Sequence, residues 1–372
     1  MTKGLQVINL IQDIATPHNN VLISAIRERP DAKINVWYAK RGDQMLYPWS
    51  RDITDEQNPA RIYGQRINLK FLRYCIANKH EKYVVVGWMN INTRLLHVLF
   101  FFLRRPFNHW TDLPDPKQHN ISWAKRMARW SAYFLLKMSR CKVFAVGNEN
   151  VNRLLAFGFQ ARNVINLPIF INVEEDLSRF KLYKSTIRKR CGVKDGGYLL
   201  VAGSRLVREK GYDLLIKAIS LINESVRTRI KVVIVGNGEE EARLQMQIEE
   251  SQLNGVIELM KWMEMEDFGA LIASSDLFIH PARFDSYGTT ILGMSLGVAV
   301  IGSKQAGAAY DRISDGVNGR LYDSSDTKTL AEIIEQLLGD EKGREQLASK
   351  GRDTALCWPP SRGAEILITN AI

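Results

Sequence analysis

Apolar and polar positions along the first half of the chain predict short strands separated by helices. Apolar runs recur at residues 7–11, 34–38, 83–88 and 143–146, with longer segments of helical periodicity between them. Strands of this length that alternate with helices are typical of β/α units on a mostly parallel sheet. The first half is therefore predicted to be an α/β domain.

The second half shows the same alternation more clearly. Its apolar runs lie at residues 198–204, 230–236, 256–260, 276–282 and 299–303. Helical patterns follow the first two runs, at 211–222 and 239–251. Short buried strands with helices between them describe a doubly wound sheet, whose ligands bind beyond the carboxyl ends of the strands. The glycine-rich and charged turns of this half fall at those ends.

The length of 372 residues favours two domains, at roughly 100–200 residues per domain. A polar, basic segment at residues 179–194 follows a strand-like run and is interpreted as the linker and the start of the second domain. The predicted domains are residues 1–175, joined by 358–372 after a tryptophan–proline–proline break, and residues 176–357.

The cysteines and the apolar segments exclude several classes of protein. No two of the four cysteines form a CxxC pair and none has a histidine at metal-ligand spacing, which disfavours structural zinc and a disulfide framework. The longest apolar run, residues 95–103, is far shorter than the roughly 20 residues that span a bilayer. The N-terminus has no signal-peptide pattern. A cytoplasmic protein is expected.

The excess positive charge is confined to one stretch. The formal net charge is +11, and residues 61–142 hold 16 Lys and Arg against 3 Asp and Glu. Within that stretch, the helical candidate at 123–142 mixes cations with Trp and Phe, the composition of an interfacial helix on anionic lipid. A buried helix with solvated cations is the alternative. Nucleic acid is disfavoured because no recognised binding module accompanies the charge.

Three segments of the second half carry candidate chemistry. In AGSRLVREKGYDLL (202–215), Arg205, Arg208 and Lys210 lie between a buried strand and a helix, where fixed cations and backbone N–H groups can hold a diphosphate. Three solvated cations on a loop are the alternative. In VGNGEEE (235–241), two glycines follow a strand, but glutamate takes the third position of a GxGxxG fingerprint.

The third segment is HPARFDSYGTTILGMSLGVAVIGSKQAGAAYDRISDGVNGRLYD (280–323). Asp285 lies in a turn before a helix predicted to start near Thr289, and Gly288 allows close backbone approach. A carboxylate there can hold sugar hydroxyls. Alternatively, it only caps the helix.

Together these segments resemble the retaining, family-four (group 1) glycosyltransferases of the GT-B fold. Members share, in order, GRL…KG…LL, G.G, PS..E..G…..EA...G.P, GG..E and DG.NG. Here these read GSRLVREKGYDLL, VGNG, HPARFDSYGTTILGMSLGVAV, AGAAYD and DGVNG, within about residues 166–372. The resemblance implies two Rossmann-like domains facing a cleft, with the acceptor in the first, the nucleotide sugar in the second, and a C-terminal helix crossing back.

The resemblance also implies roles for individual residues. Arg205 and Lys210 match the cations that stabilise the leaving diphosphate, Asp285 matches the acid that holds the transferred sugar, and Asp311 matches the acid after the GG turn. The remaining donor-binding residues are expected to be Gly203, Ser204, Gly236, Asn237, Gly238, Tyr287, Gly288, Thr289 and Thr290.

Two positions depart from the family pattern. The first acid is Asp285 where the family usually has glutamate, which shortens its reach. The second acid is expected eight positions later, at Gly293, which has no side chain. In the family that glutamate holds the ribose, so this departure leaves the base of the nucleotide open and keeps a catalytically degenerate binding protein as the alternative function.

The first half matches the family less well. It lacks the Gly-Gly turn after the first strand, where His18 and Asn19 stand instead. The segment FNHWTDLPD (107–115) resembles the family's His-plus-acid turn, which implies that His109 meets the donor sugar with Asp112 behind it. A histidine satisfied by local hydrogen bonds is the other interpretation.

The expected activity is transfer of a sugar, with retention, from a UDP- or GDP-sugar to a glycan or lipid-linked acceptor. Arg205 and Lys210 would replace a metal, since no DxD dyad lies on a plausible loop, and no cofactor is expected. Bacterial surface polysaccharide synthesis (O-antigen, capsule or lipopolysaccharide) at the inner face of the cytoplasmic membrane is the expected setting. An NAD-dependent oxidoreductase is disfavoured because GxGxxG is incomplete, and an epimerase because acid/base residues are not identified.

Overall fold

The computed structural model describes residues 5–40, 60–112, 122–173 and 177–372. The chain divides into two compact units. The first contains Met1–Asn172 and Pro359–Ile372, and the second contains Val173–Trp358. Each unit is an α/β layer structure built on its own parallel sheet.

The first unit contains, within its described residues, a seven-stranded sheet of order β3-β2-β1-β4-β5-β6-β7. Its strands are β1 (Gln6–Gln12), β2 (Ala32–Tyr38), β3 (Arg61–Ile62), β4 (Lys82–Val86), β5 (Phe107–Thr111), β6 (Cys141–Ala145) and β7 (Val164–Asn166). Its helices from this part of the chain are α1 (Pro17–Arg27), α2 (Leu69–Ala77), α3 (Ile91–Phe102), α4 (Trp123–Met138) and α5 (Asn148–Ala156). The central strands are buried on both faces, as expected where helices cover both sides of a parallel sheet, although β1 and β5 also carry buried polar side chains.

The second unit contains a six-stranded parallel sheet of order β10-β9-β8-β11-β12-β13, counted over the described residues. Its strands are β8 (Tyr198–Gly203), β9 (Ile230–Val235), β10 (Ile257–Met260), β11 (Leu277–His280), β12 (Ala299–Ser303) and β13 (Arg320–Tyr322). Its helices are α6 (Ser178–Arg190), α7 (Tyr212–Leu221), α8 (Glu224–Arg227), α9 (Glu241–Glu250), α10 (Met265–Ala273), α11 (Thr290–Ser295), α12 (Gly307–Arg312), α13 (Thr327–Gly339) and α14 (Glu341–Leu356).

The last helix, α15 (Pro360–Asn370), belongs to the first unit and packs against α1. Gly363 permits the close packing, since a Cβ there would stand 2.6 Å from the Phe170 ring and 2.9 Å from Leu22. Among the described residues, no helix combines the length and apolar character needed to cross a bilayer.

Both sheets place a reversal of strand order beside their first strand. In the first unit, β1 lies between β2 and β4, and in the second, β8 lies between β9 and β11. Such switch points leave a crevice beyond the carboxyl ends of the strands, where ligands of open α/β sheets bind.

Three local predictions are wrong. The segment interpreted as the linker and the start of the second domain, residues 179–194, does lie near the start of the second unit, but it is mostly the helix α6, packed against α10, and not a linker. The strand-like run after Pro168 forms no strand over its described residues. Residues 107–111, predicted to be a turn, are the fully buried strand β5. In each case tertiary packing, which local polarity does not report, decides the structure.

Candidate functional site

Loops that follow β8, β9, β11 and β12 meet at the carboxyl edge of the second sheet. The β8 and β9 loops join through backbone hydrogen bonds from Leu206 N–H to the Asn237 carbonyl, 2.8 Å, and from Glu240 N–H to the Leu206 carbonyl, 3.0 Å. A Cβ at Gly236 would collide with the Ser204 carbonyl, and one at Gly238 with that of Leu206. The two glycines therefore let the two loops touch.

The β11 loop is fastened to the β8 loop. Phe284 N–H donates to the Glu209 carbonyl at 3.1 Å. The Arg283 guanidinium donates to both carboxylate oxygens of Asp213 on α7, at 2.5 and 2.6 Å. Fork-shaped pairs of this kind fix geometry as well as distance. This attachment brings the basic turn at 205–210 to the acidic turn at 285.

The centre of the site is a buried ion pair. The Lys210 ammonium bonds to Oδ2 of Asp285, and both side chains are 11% exposed. The same oxygen receives a hydrogen bond from His280 Nε2, 3.1 Å away, and His280 Nδ1 lies 2.8 Å from the Thr290 hydroxyl. This geometry fits an imidazole that donates from Nε2 to Asp285 and accepts from Thr290 at Nδ1. Asp285, which is only 9% exposed, is thus held in one orientation.

Asp285 is ionised through these contacts. Burial raises the pKa of its carboxyl, but the charge of Lys210 and the hydrogen bond from His280 outweigh burial and hold the pKa well below its ordinary value. A carboxyl whose pKa falls on folding stabilises the folded state above its unfolded pKa, about 3.9. That stabilisation is lost as the pH falls through the folded pKa.

We expect the free energy of unfolding of the wild-type protein to fall more steeply on acidification below about pH 5 than that of Asp285→Asn. In the wild type, the Asp285 carboxyl takes up a proton more readily in the unfolded chain than in the folded one, so acid favours unfolding. The amide of Asp285→Asn takes up no proton, so the free energy of unfolding of this variant depends less on pH in acid. Urea titrations at a series of pH values measure this, with the exposed Asp195→Asn as the control. Equal acid slopes for Asp285→Asn and wild type would contradict the ionised pair.

Around this centre lie the other expected donor-binding residues. The Ser204 hydroxyl is 2.6 Å from the Tyr212 hydroxyl, and the Thr289 hydroxyl donates to the Gly203 carbonyl at 3.5 Å. Tyr287 is buried and accepts a hydrogen bond from Arg312 Nε at 2.8 Å. Asp311 stands beside Tyr287 as a half-buried residue of α12.

Arg205 differs from Lys210 in its surroundings. It is exposed, and its side chain makes no hydrogen bond or ion pair with any residue in the described part of the chain. The positive charge of Lys210 is balanced by Asp285, whereas that of Arg205 is available to an anion. Over the same residues, no group of three or more His, Cys, Asp or Glu side chains could hold a metal ion.

Gly293 does not mark an acid missing from an open pocket. It lies on α11 facing the sheet, and a Cβ there would stand 2.6 Å from the Phe278 ring and 3.0 Å from Val300. A glutamate at 293 would point into the core. Packing therefore accounts for the glycine, and the open question of ribose recognition that the resemblance implies for position 293 stays as it was.

The residues expected on the acceptor side separate into two groups. His18 and Asn19 lie in the first turn of α1, and Asp112 is exposed directly after β5, so all three are at the carboxyl edge of the first sheet. His109 instead lies inside β5 and has no exposed surface. Its Nδ1 is 3.0 Å from Nε2 of His97, and its ring stacks on Trp88. Burial lowers the pKa of His109 well below its ordinary value. The predicted His-containing turn is absent at this position.

Sequence reasoning missed His280, which orients Asp285. The signal available was its position within the apolar run 276–282, five residues before the acid. It also missed Asp13, which follows β1 at the edge of the first sheet and accepts a hydrogen bond from the Tyr63 hydroxyl at 3.4 Å. An acid directly after a buried strand was the sign.

Comparison with known proteins agrees with this geometry. Residues 184–354, which contain the site, match the family model of glycosyl transferases group 1. The chain is 28% identical over 195 residues to a GDP-mannose-dependent monoacylated alpha-(1-6)-phosphatidylinositol monomannoside mannosyltransferase of Corynebacterium glutamicum, covering 50% of each chain. It is 26% identical over 157 residues to the lipopolysaccharide core biosynthesis glycosyltransferase LpsE of Rhizobium meliloti, covering 42% of this chain and 44% of that one. The aligned part thus spans half or less of these relatives.

Solved structures resemble nearly the whole chain. Anabaena Alr3699/HepE in complex with UDP superposes with a TM-score of 0.76 at 18% identity, covering 98% of both chains. WaaG, a glycosyltransferase involved in lipopolysaccharide biosynthesis, gives 0.70 at 15% identity, covering 96% of this chain and 99% of that one. At these identities the likeness shows the fold alone. The chain has the GT-B fold, and residues 184–354 of its second unit are similar to the group 1 glycosyl transferases.

Proposed function

We propose that this chain is a glycosyltransferase that moves a sugar from a UDP- or GDP-sugar to a glycan or lipid-linked acceptor. One observation carries the proposal: a carboxylate fixed by a lysine and a histidine, with an unbalanced arginine nearby, at the switch point of a sheet in the segment that matches the family. Two relatives that are GDP-mannose-dependent and a structural neighbour bound to UDP support a nucleoside diphosphate as the leaving group.

In this proposal Arg205 and Lys210 bind the diphosphate of the donor, and Asp285 binds its sugar. Arg205 supplies the unbalanced charge for the diphosphate. The Lys210 ammonium has three donors, so it can bind a phosphate oxygen while it still donates to Asp285. The second carboxylate oxygen of Asp285 accepts from Tyr287 N–H at 3.3 Å and can also accept from a sugar hydroxyl.

The reaction that fits this arrangement is a front-face displacement with retention. The acceptor oxygen forms a bond to the anomeric carbon while the bond from that carbon to the phosphate oxygen breaks. The acceptor proton passes to the departing phosphate oxygen, and the negative charge that develops there is stabilised by Arg205 and Lys210. The protein acts through positioning and charge, so the proposed reaction needs no metal and no cofactor.

A nucleotide-sugar screen tests the function. Thermal shifts with UDP- and GDP-sugars identify the base and sugar, and release of the free sugar from the stabilising donor reports chemistry. Stabilisation together with slow donor hydrolysis supports a transferase. Stabilisation without any hydrolysis or transfer supports the degenerate binding protein, and no stabilisation by any nucleotide sugar contradicts both.

We further propose that the first unit binds the inner face of the cytoplasmic membrane through residues 61–142, in bacterial surface polysaccharide synthesis. Supporting this, Leu136 is the one fully buried residue of α4, while Trp123, Trp130 and Phe134 are exposed beside Lys125 and Arg126. Relatives in lipopolysaccharide core and capsule synthesis fit that setting.

The protein is expected to sediment with phosphatidylglycerol vesicles at low salt and to be released at high salt, because exposed cations on a lipid surface are screened. Trp130→Ser with Phe134→Ser should weaken sedimentation, and Leu182→Ser with Tyr183→Ser, two exposed residues of α6 in the second unit, should not. Equal binding to vesicles of neutral lipid would exclude attraction between these cations and anionic lipid as a cause of membrane binding.

A further inference from the structure

Two adjoining cavities of the first unit have no role so far. The first, called the Asp13 cavity, measures 340 Å³ and is lined by Asp13, Lys40, Gln65, Met89 and Asn90 among others. These residues follow β1, β2, β3 and β4, so the cavity lies at the carboxyl edge, at the switch point of the first sheet. Its lining of carboxylate, amide and ammonium groups suits a hydroxylated ligand.

The second cavity, called the α3–α4 cavity, measures 480 Å³ and lies between those two helices. Its walls are mainly apolar, with Val98, Ala132, Leu135 and Leu136, and Trp88 closes one side. The volume is within the roughly 300–1,000 Å³ typical of small-molecule sites. Burial lowers the pKa of His97, which lines the inner part, to about 4, so that ring is neutral near pH 7.

Positive charge lies where the two cavities meet. Met89 lines both cavities, and Arg94 on α3 lines the α3–α4 cavity while its charge also acts on Asp13. Arg94 Nε donates to the Trp88 carbonyl at 2.8 Å, which holds the guanidinium at this junction. Lys125 and Arg129 add further cations, and the described lining of the α3–α4 cavity contains no acid.

The polar Asp13 cavity, the cation Arg94 and the mainly apolar α3–α4 cavity therefore follow one another along this surface. We propose that the acceptor is an anionic amphiphile, with a hydroxylated head group in the Asp13 cavity, a phosphate at Arg94 and one apolar chain in the α3–α4 cavity. The inference rests on the proposed transferase function, because only a transferase has an acceptor. It decides between the glycan and the lipid-linked acceptor in favour of the latter.

Calorimetric titration of the full chain with farnesyl phosphate tests the chain and phosphate positions. We expect farnesyl phosphate to bind at least tenfold more tightly than either farnesol or inorganic phosphate. Dihexanoylphosphatidylglycerol, with two chains for one cavity, should bind at least tenfold more weakly than farnesyl phosphate. Equal binding of the two would assign the cavity to bulk membrane lipid and overturn the acceptor assignment.

Variants locate the binding. Ala132→Trp fills the cavity and should weaken farnesyl phosphate binding at least tenfold, whereas Ala124→Trp, exposed on the same helix outside the cavity, should change it less than twofold. If Ala132→Trp does not fold, the surface variant Arg94→Gln decides. It should remove most of the preference for farnesyl phosphate over farnesol, and Arg73→Gln, exposed on α2 and outside both cavities, should not. Wild-type binding by the folded variants would overturn the proposal.

The amphiphile acceptor site and the transferase function are contradicted by different results. Transfer to a water-soluble glycan without any farnesyl phosphate binding would overturn the amphiphile site and leave the transferase function standing. Farnesyl phosphate binding by a chain that neither binds nor hydrolyses nucleotide sugars would overturn the acceptor assignment together with the transferase function.

Discussion

Replacement of Lys210 by methionine is expected to lower the rate of sugar transfer by about 100-fold or more, the cost of removing one preorganised charge, about 3 kcal/mol. Methionine keeps the length and the packing of the side chain but has no donor. The loss should appear in the rate at saturating donor, because the charge that Lys210 stabilises develops as the diphosphate leaves. Steady-state kinetics with the donor identified by the screen measures it.

Two control variants separate catalysis from folding. Lys210→Met also leaves Asp285 buried without its main partner, which costs stability on the order of 3 kcal/mol. The double variant Lys210→Met/Asp285→Asn removes that unpaired charge, so it should recover stability without recovering transfer. Lys217→Met, on the exposed face of α7, should be active and stable. Near-normal transfer by Lys210→Met would exclude the assigned role.

Gly288→Ala is the second change with a large expected effect. Gly288 has φ +82°, and a Cβ would collide with the His280 ring and the Asp285 carboxylate. Left-handed strain and overpacking each cost about 1–3 kcal/mol, so the free energy of unfolding should fall by about 3 kcal/mol or more. Because the collision displaces Asp285, donor binding should weaken as well.

Gly316→Ala is the matched control for this substitution. Gly316 has φ +73°, but nothing lies within 4 Å of its Cβ position. It should therefore show the backbone strain alone, with unchanged donor binding. Urea denaturation and donor titration of both variants give the comparison. Identical losses for the two alanines would show that close packing around the Asp285–His280 pair contributes nothing.

The donor side of the fold could be predicted because its signals are local in sequence. The strands β8, β9, β11 and β12 are continuous apolar runs, and each critical turn follows one of them directly. The position of Asp285 beside Lys210 required only the rule that carboxyl ends of parallel strands share an edge. What the pattern does not report is the ion pair between them, which leaves Arg205 and Arg208, both exposed, as the cations of this turn that are available to a ligand.

The errors arise where three-dimensional packing decides. The local sequence FNHWT does not distinguish a turn from a buried strand. Its pairing with β4 and β6 in the sheet makes it a strand, and this buries His109. The basic segment that forms α6 is polar in most of its residues, yet Phe180 is buried in the second unit. The close packing of Gly293 on the Phe278 ring is likewise a contact between distant residues that the sequence does not report.

The difference in affinity between a nucleoside diphosphate and its monophosphate measures the charge that Arg205 supplies to the terminal phosphate. Titrations of the wild-type protein with UDP and UMP, and with GDP and GMP, give the contribution of the terminal phosphate for the preferred base. The role assigned to Arg205 predicts that this contribution falls at least tenfold in Arg205→Gln, with monophosphate affinity unchanged, and that Lys217→Gln, on the exposed face of α7, leaves both unchanged. The same preference for diphosphate in Arg205→Gln and wild type would contradict it.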